Sequence, residues 1–248
     1  MYALITGASS GLGRGLAYVL AADNYDLILV ARRDKLLSEI KDEIIEKHNV
    51  KVVVFSYDLS DIANCVSLFD KLEKYEINLF INNAGFGNLG YFNETDLSVE
   101  MQMIDLNIKA LQTLTKLYIK THNKGKVVNI SSMAALLPTP IHATYSATKS
   151  YVYYFSRAIN YELKKQGKNV KVLTVAPGPV KTNFNNVAKA SRSKGMDVNK
   201  CVRLIYRGIK KEKELIIPGF TMKIIYFFSR FIPTKILMKT AHKIQSSK

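Results

Sequence analysis

Short runs of consecutive apolar residues, each closed by turn residues, recur along the chain at 3–6, 27–31, 51–56, 77–82, 126–131, 170–176 and 214–217. Continuous apolar character without strict alternation is what a strand needs when both faces of its sheet are covered. Between the runs lie stretches with apolar residues at helical spacing, near 11–22, 34–47, 61–74, 97–121, 143–166 and 198–210. Two more, at 220–231 and 234–245, close the chain. Strands alternating with helices make parallel crossovers. The pattern therefore predicts an α/β fold: a doubly wound parallel seven-stranded sheet with helices on both faces and a C-terminal helical extension. No linker composition or internal repeat interrupts it, so residues 1–248 read as a single domain. Within it, 183–248 form a variable loop and a basic helical extension.

Composition narrows the class. A chain of 248 residues that is 48% hydrophobic can bury a sizeable core, which excludes a stapled miniprotein and a disordered chain. Only Cys65 and Cys201 are present, with no CxxC spacing, so neither a disulfide framework nor a cysteine metal site is expected. His48, His122, His142 and His242 lack ligand spacing as well, and no metal is expected. The apolar start Met1–Ile5 passes directly into a glycine-rich run, too short for a secretory signal. The apolar region 215–232 is broken by Pro218, Gly219, Lys223 and Arg230, which makes it a poor membrane span. A cytoplasmic protein is the expectation.

Charge is placed unevenly. Residues 1–180 carry 20 Lys/Arg against 17 Asp/Glu, whereas 181–248 carry 16 against 3, so most of the net +16 sits at the C-terminal end. Three readings compete there: an anionic membrane surface, an anionic substrate such as a CoA or carrier-protein thioester, or a lysine-rich solvated face. Nucleic acid is not expected, because no zinc-finger, homeodomain or RNA-recognition signature accompanies the charge.

Chemistry enters at the first turn. After the first apolar run comes Thr6-Gly7-Ala8-Ser9-Ser10-Gly11-Leu12-Gly13, then an amphipathic helix through Leu16, Val19 and Leu20. Glycines permit a tight turn and close backbone approach, and a helix N-terminus offers unpaired N–H groups to a pyrophosphate. That is a Rossmann-like dinucleotide site, with glycines spaced three then one rather than as GxGxxG. Further matches follow in order: Asp58-Leu59, Asn82-Asn83-Ala84-Gly85, Asn107, Ser132, Tyr145 with Lys149, and Pro177-Gly178-Pro179-Val180-Lys181-Thr182. From residue 2 to about 182 the chain resembles the short-chain dehydrogenase/reductase family. The resemblance implies a dinucleotide-binding catalytic domain. It places Gly7, Ser9, Ser10, Gly11, Leu12 and Gly13 on the pyrophosphate and Asp58 with Leu59 at the adenine. Asn82, Ala84, Gly85, Pro177, Gly178, Val180 and Thr182 would complete the cofactor site.

YxxxK alone discriminates poorly, since the chain contains it at Tyr145/Lys149, Tyr161/Lys165 and Tyr206/Lys210. Only Tyr145 opens a helix just after a strand ending in Asn129-Ile130-Ser131-Ser132, and strand carboxyl ends face the ligand crevice. Tyr161 and Tyr206 read as helix-surface residues. Four positions apart, Tyr145 and Lys149 share a helix face, so the ammonium is expected to favour phenolate and lower a pKa that is normally about 10. The resemblance implies that Tyr145 gives a proton to a substrate carbonyl oxygen as hydride arrives from the nicotinamide. It also implies that Lys149 holds the ribose, Ser132 bonds the same oxygen (with Ser131 the alternative), and Asn107 holds a relay water.

The second strand ends in Ala31-Arg32-Arg33, where an NAD-selective site places an acid. Guanidinium groups suit a 2'-phosphate, so NADP(H) is the expected cofactor, with Arg32 and Arg33 as its readers. Phe86, Ala134, Leu136, His142 and Phe184 are candidate pocket walls, which suggests an apolar ketone, aldehyde or 3-oxoacyl substrate. Two function classes remain: a carbonyl reductase, or a non-catalytic NADP(H)-binding sensor or docking module. The full Ser–Tyr–Lys–Asn set favours the enzyme. The family pairs subunits through helices matching 97–121 and 143–166, so a homo-dimer or homo-tetramer is expected. The two C-terminal helices read as a flap over substrate or partner, or as a peripheral membrane contact with Lys/Arg toward anionic lipid.

Overall fold

The structure is a computed structural model that describes residues 1–182 and 195–246. Its strands are β1 (Tyr2–Thr6), β2 (Asp26–Ala31), β3 (Val52–Ser56), β4 (Ile77–Asn82), β5 (Lys124–Ile130), β6 (Asn169–Val175) and β7 (Leu215–Ile216). They form one seven-stranded sheet in the order β3-β2-β1-β4-β5-β6-β7, with every pairing parallel. The predicted fold class is therefore the observed one.

Period-two alternation explains why these strands are mostly apolar. Ala3, Ile5, Leu27 and Leu29 face one core, packed by α1 (Gly11–Ala22), α2 (Asp34–Lys47) and α7 (Val198–Lys210). Leu4, Ile28, Val30 and Phe80 face the other, packed by α3 (Ile62–Leu72), α5 (Leu111–Thr121) and α6 (Ala143–Lys165). Helices cover both faces of the sheet over its central strands, so little polar alternation is available there. Helix starts are set by side-chain caps: Asp61 accepts from Ala63 N, Asp96 from Ser98 N and Asp197 from Lys200 N.

The long helix expected over 97–121 is not continuous. It runs as α4 (Leu97–Ile104), a π-helical segment (Asp105–Ala110) and then α5. The extra residue per turn rotates Asn107 inward, where it is fully buried. A buried polar chain lies beside this segment and ties it to the sheet. Asn82 Nδ2 donates to Leu111 O (3.0 Å) and Thr115 Oγ1 (3.3 Å), Thr115 donates to Asn129 Oδ1, and Asn129 donates to Ser156. Tyr206, expected on a surface, is instead nine-tenths buried against α1 and donates to Asp23. The C-terminal pair is α8 (Phe220–Phe228) and α9 (Thr234–Ser246), shorter at 228 than the apolar pattern suggested.

Tyr118 is the largest of the fully buried side chains, and its hydroxyl donates to Ile77 O at 2.8 Å. Tyr118→Phe strands that carbonyl and is expected to cost about 1–3 kcal/mol. A thermal melt should show Tm falling roughly 2–4 °C per kcal/mol lost, with dinucleotide affinity unchanged.

Candidate active site

The order reversal falls between β1 and β4, which leave the sheet in opposite directions and open a crevice at their carboxyl ends. Across that opening the two strand ends are stitched together. Thr6 Oγ1, fully buried, accepts from Asn83 N and Ala84 N at 3.0 Å each. Asn83 Nδ2 returns the bond to Thr6 O (3.0 Å) and Gly7 O (3.3 Å). This closeness dictates the glycines. Gly7 has φ +65°, and a Cβ there would lie 2.8 Å from Asn83 Nδ2. A Cβ on Gly13 would collide with Gly7 O, so Gly13 supports the turn from behind. Ser10 is the N-cap of α1 yet makes no side-chain cap bond, and no acid lies in the first turn. The helix start thus presents open amides and a positive end, the arrangement an anionic pyrophosphate fits.

Arginines stand beside that start. Arg33 donates to Ser9 Oγ (2.9 Å) and Ser10 Oγ (3.0 Å), while Arg32 pairs with Asp58 at 3.6 Å. Asp58 is held in turn by Ser60, whose N and Oγ both donate to Oδ1. Arg33, Ser9 and Ser10 make a preformed donor cluster of the kind a phosphate monoester requires.

Beyond the glycine turn lie Ser132, Tyr145 and Lys149, the residues expected to transfer a proton. Ser131, the alternative to Ser132, has a buried hydroxyl that donates to Lys149 O at 2.7 Å. Ser132 lies past the end of β5, caps a short 3-10 turn (Met133–Leu136) and hydrogen-bonds Tyr145. Tyr145 is 8% and Lys149 4% exposed. Burial pushes the phenol up to about 12, with the Ser132 bond pulling the other way, and pushes the ammonium down to about 8. The expectation that Lys149 would lower the tyrosine's pKa is corrected: its Nζ lies 5.9 Å from the ring centroid and donates to Ile130 O at 2.9 Å. Desolvation outweighs the charge, and each group is driven toward its neutral form. His142 stacks on Tyr145 with ring centroids 4.5 Å apart.

Asn107 acts through its neighbours. Its Nδ2 donates to Phe86 O (2.9 Å) and Thr148 Oγ1 (3.0 Å), and its Oδ1 accepts from Phe86 N (3.1 Å). Both donors are committed, so one Oδ1 lone pair is what it retains for a water. A Cβ on Gly85 would lie 2.7 Å from Asn107 Oδ1 and 3.4 Å from Lys149 Nζ, which is why the loop after β4 carries glycine here.

These groups line one cleft of about 830 Å³. Gly7, Ser9, Ser10, Gly11, Leu12, Arg32, Arg33, Asp58 and Leu59 form its nucleotide end. Ala84, Gly85, Ser132, Tyr145, Lys149, Pro177, Gly178, Val180 and Thr182 form its middle. Phe86, Ala134, Leu136 and His142 line the same cleft. Gly13, Asn107 and Asn82 do not line it: the first two support it, and Asn82 faces the helices. Phe184 lies outside the described residues. Missed in the sequence were Asn83, hidden beside the better-placed Asn82, and Met222, Ile225 and Ser229 of the C-terminal extension.

An uncapped glycine-turned helix at the switch point of a parallel sheet defines a dinucleotide-binding α/β protein. The chain belongs to the short chain dehydrogenase family, whose profile it matches over residues 1–193. It is 32% identical over 205 residues to a very-long-chain 3-oxoacyl-CoA reductase of Anas platyrhynchos, covering 78% of this chain and 64% of the relative. It is 34% identical over 181 residues to the 17-beta-hydroxysteroid dehydrogenase type 3 of Mus musculus, covering 70% of this chain and 58% of the relative. The chain thus spans less than two thirds of the length of these relatives. Among solved structures, a Sphingobium yanoikuyae short-chain dehydrogenase in complex with NADPH superposes with TM-score 0.82 at 29% identity, covering 88% of each chain. A Burkholderia phymatum short-chain dehydrogenase/reductase in complex with NAD gives TM-score 0.85 at 21% identity over 92% of each chain, a likeness of fold.

Because the Gly13 position has no room for a methyl group, Gly13→Ala should force the turn open at a cost of about 1–3 kcal/mol. Calorimetry should then show dinucleotide affinity down about tenfold for each 1.4 kcal/mol that the distorted turn withdraws, with an unchanged far-UV spectrum.

Proposed function

We propose that the protein is an NADPH-dependent carbonyl reductase acting on an apolar ketone, aldehyde or 3-oxoacyl compound. The observation that carries this reading is the burial of Tyr145 and Lys149, with Ser132 hydrogen-bonded to Tyr145, in one cleft that Arg32 and Arg33 also line. A nucleotide sensor has no need of an acid held in a dry site beside the place a nicotinamide would take, and this weighs against the non-catalytic alternative.

When bound, NADPH supplies the hydride that the carbonyl carbon accepts. The residues supply the rest. Ser132 and Tyr145 converge on the carbonyl oxygen, and their hydroxyl dipoles offset the charge that develops there. A phenol whose pKa is raised to about 12 is protonated at neutral pH, so it is ready to donate. Oxygen then leaves as the alcohol and Tyr145 is briefly phenolate, stabilised by the Lys149 ammonium one helical turn away. Lys149 would also hold the nicotinamide ribose, and Asn107 fixes the Phe86 backbone in the cleft wall. The raised tyrosine suits reduction, which consumes a phenol proton, better than oxidation, which begins from phenolate.

Arg33 with Ser9 and Ser10 would hold the 2'-phosphate, and Arg32 would join once drawn from Asp58. The NADPH-bound relative at 29% identity supports the same choice. For substrate, the wall of Leu106, Leu136, Leu137 and Met222 favours an apolar chain or ring system, in keeping with the named substrates of the two animal relatives. Buried free cysteines fit a cytoplasmic setting, and exposed Met101, Tyr154 and Tyr161 on α4 and α6 offer the face for a homo-dimer or homo-tetramer.

Titration with NADPH and NADH should show tighter NADPH binding, and Arg33→Asp should reverse the order; equal affinities in the parent would refute the phosphate assignment. Tyr145→Phe should lower kcat/KM for any accepted ketone by roughly 10²–10⁴ with NADPH affinity kept, and full retained turnover would remove Tyr145 from the chemistry. The pH profile of kcat/KM for NADPH reports the free enzyme. Lys149 loses its proton as pH rises through about 8, so an alkaline fall should centre there rather than at an ordinary lysine value of about 10.4.

A further inference from the structure

We propose that α8 and α9 form a docking surface for an anionic lipid bilayer. The helix α8 is apolar on two opposite sides. One side carries Met222, Ile225, Tyr226 and Ser229, at spacings of three and four, and turns inward: Met222 presses on Gly178, and Tyr226 meets the Tyr153 hydroxyl at 2.9 Å. The other side, with Phe227 and the flanking Phe220 and Phe231, turns outward together with Phe228. These four rings are between 55% and 78% exposed, and α8 contains no buried residue at all. Phe227 contacts both Phe228 and Phe231, with centroids 5.3 and 5.5 Å apart, so these three exposed rings form one patch.

A helix apolar on two opposite sides calls for cover on both, yet among the described residues nothing covers this face. Charge identifies the occupant. Residues 215–248 hold six Lys/Arg and no Asp or Glu. Lys235, Lys239 and Lys243 recur every fourth position on α9 and are exposed. A dimer interface between identical copies would set these cations against each other, which costs energy. Anionic headgroups meet the lysines while phenylalanine reaches the acyl boundary, the arrangement of an interfacial amphipathic pair. Among the described residues no helix is long and apolar enough to cross a membrane, so the contact is a surface one. The inward sides of the same helices line the far end of the cleft, which places that end next to the lipid.

The test is co-sedimentation of the full chain with phosphatidylcholine vesicles, with and without phosphatidylglycerol. Binding should require the anionic lipid and weaken as salt is raised. Phe227→Ser/Phe231→Ser should lower partition by about tenfold or more, and Lys235→Glu/Lys239→Glu/Lys243→Glu should abolish the anionic preference, with calorimetric NADPH affinity intact in both. None of these residues lines the cleft, so cofactor binding reports folding independently. Failure of the parent to sediment with anionic vesicles, or undiminished binding of the phenylalanine variant, overturns the proposal. It is equally overturned if light scattering shows a parent dimer that the phenylalanine variant breaks, since the patch would then join two copies.

Discussion

The Thr6 hydroxyl, fully buried between the ends of β1 and β4, is the point on which the cleft depends. A doubly wound sheet opens a crevice wherever successive strands depart in opposite directions, but the crevice is useful only if its two walls keep a fixed separation. Here two backbone amides of the β4 loop converge on one oxygen of β1, and Asn83 answers with two bonds in return. Four bonds across a gap with no room for a Cβ make the glycine turn and the loop toward Phe86 one rigid body. That rigidity is passed on by Asn107, which grips Phe86 at both backbone polar groups and bonds Thr148 of α6. Glycine turn, wall and α6 are thereby in one hydrogen-bonded series.

Burial then sets the chemistry. A tyrosine and a lysine placed in water would sit near their ordinary values, one almost wholly neutral and one almost wholly charged. Withdrawn from water, both are penalised in their charged forms, and the lysine moves toward neutrality while the tyrosine moves away from ionisation. The site is consequently built as an acid that holds its proton. Any incoming positive charge, such as an oxidised nicotinamide, acts on this desolvated pair more strongly than it would in bulk water, because the same low dielectric that penalises lone charges strengthens paired ones.

Most of this was legible in the residues. Seven apolar runs gave seven strands to within a few residues, since strands buried on both faces must be apolar at every position. Tyr145 was separable from Tyr161 and Tyr206 because strand ends, not motif spelling, locate a crevice. What could not be read was geometry that leaves the residue pattern unchanged. A π turn costs no apolar periodicity, so the break at Asp105–Ala110 was invisible. Asn82 and Asn83 are chemically identical neighbours, and only the pleat, which turns one to the helices and the other across the switch point, divides their roles. Tyr206 has the spacing of a surface residue, yet the Asp23 carboxylate gives its hydroxyl a partner and lets the ring be buried. The sign of the tyrosine shift was missed because helical spacing conveys proximity to Lys149 but says nothing of water.

The strong positive charge also divides once the chain is folded. Arg32 and Arg33 stand at the end of β2, already engaged by Asp58, Ser9 and Ser10, and belong to the nucleotide end. The acid-free charge after Glu214 belongs to helices that close the opposite end. Between them Gly178 mediates: lacking a Cβ, it lets Met222 of α8 lie directly on the loop that follows β6. Loop and helix therefore share one volume, and a Cβ at 178 would displace the Met222 side chain. The extension is thus tied mechanically to the cofactor loop, while its outer face answers to a different environment, and the two demands are met by opposite sides of a single nine-residue helix.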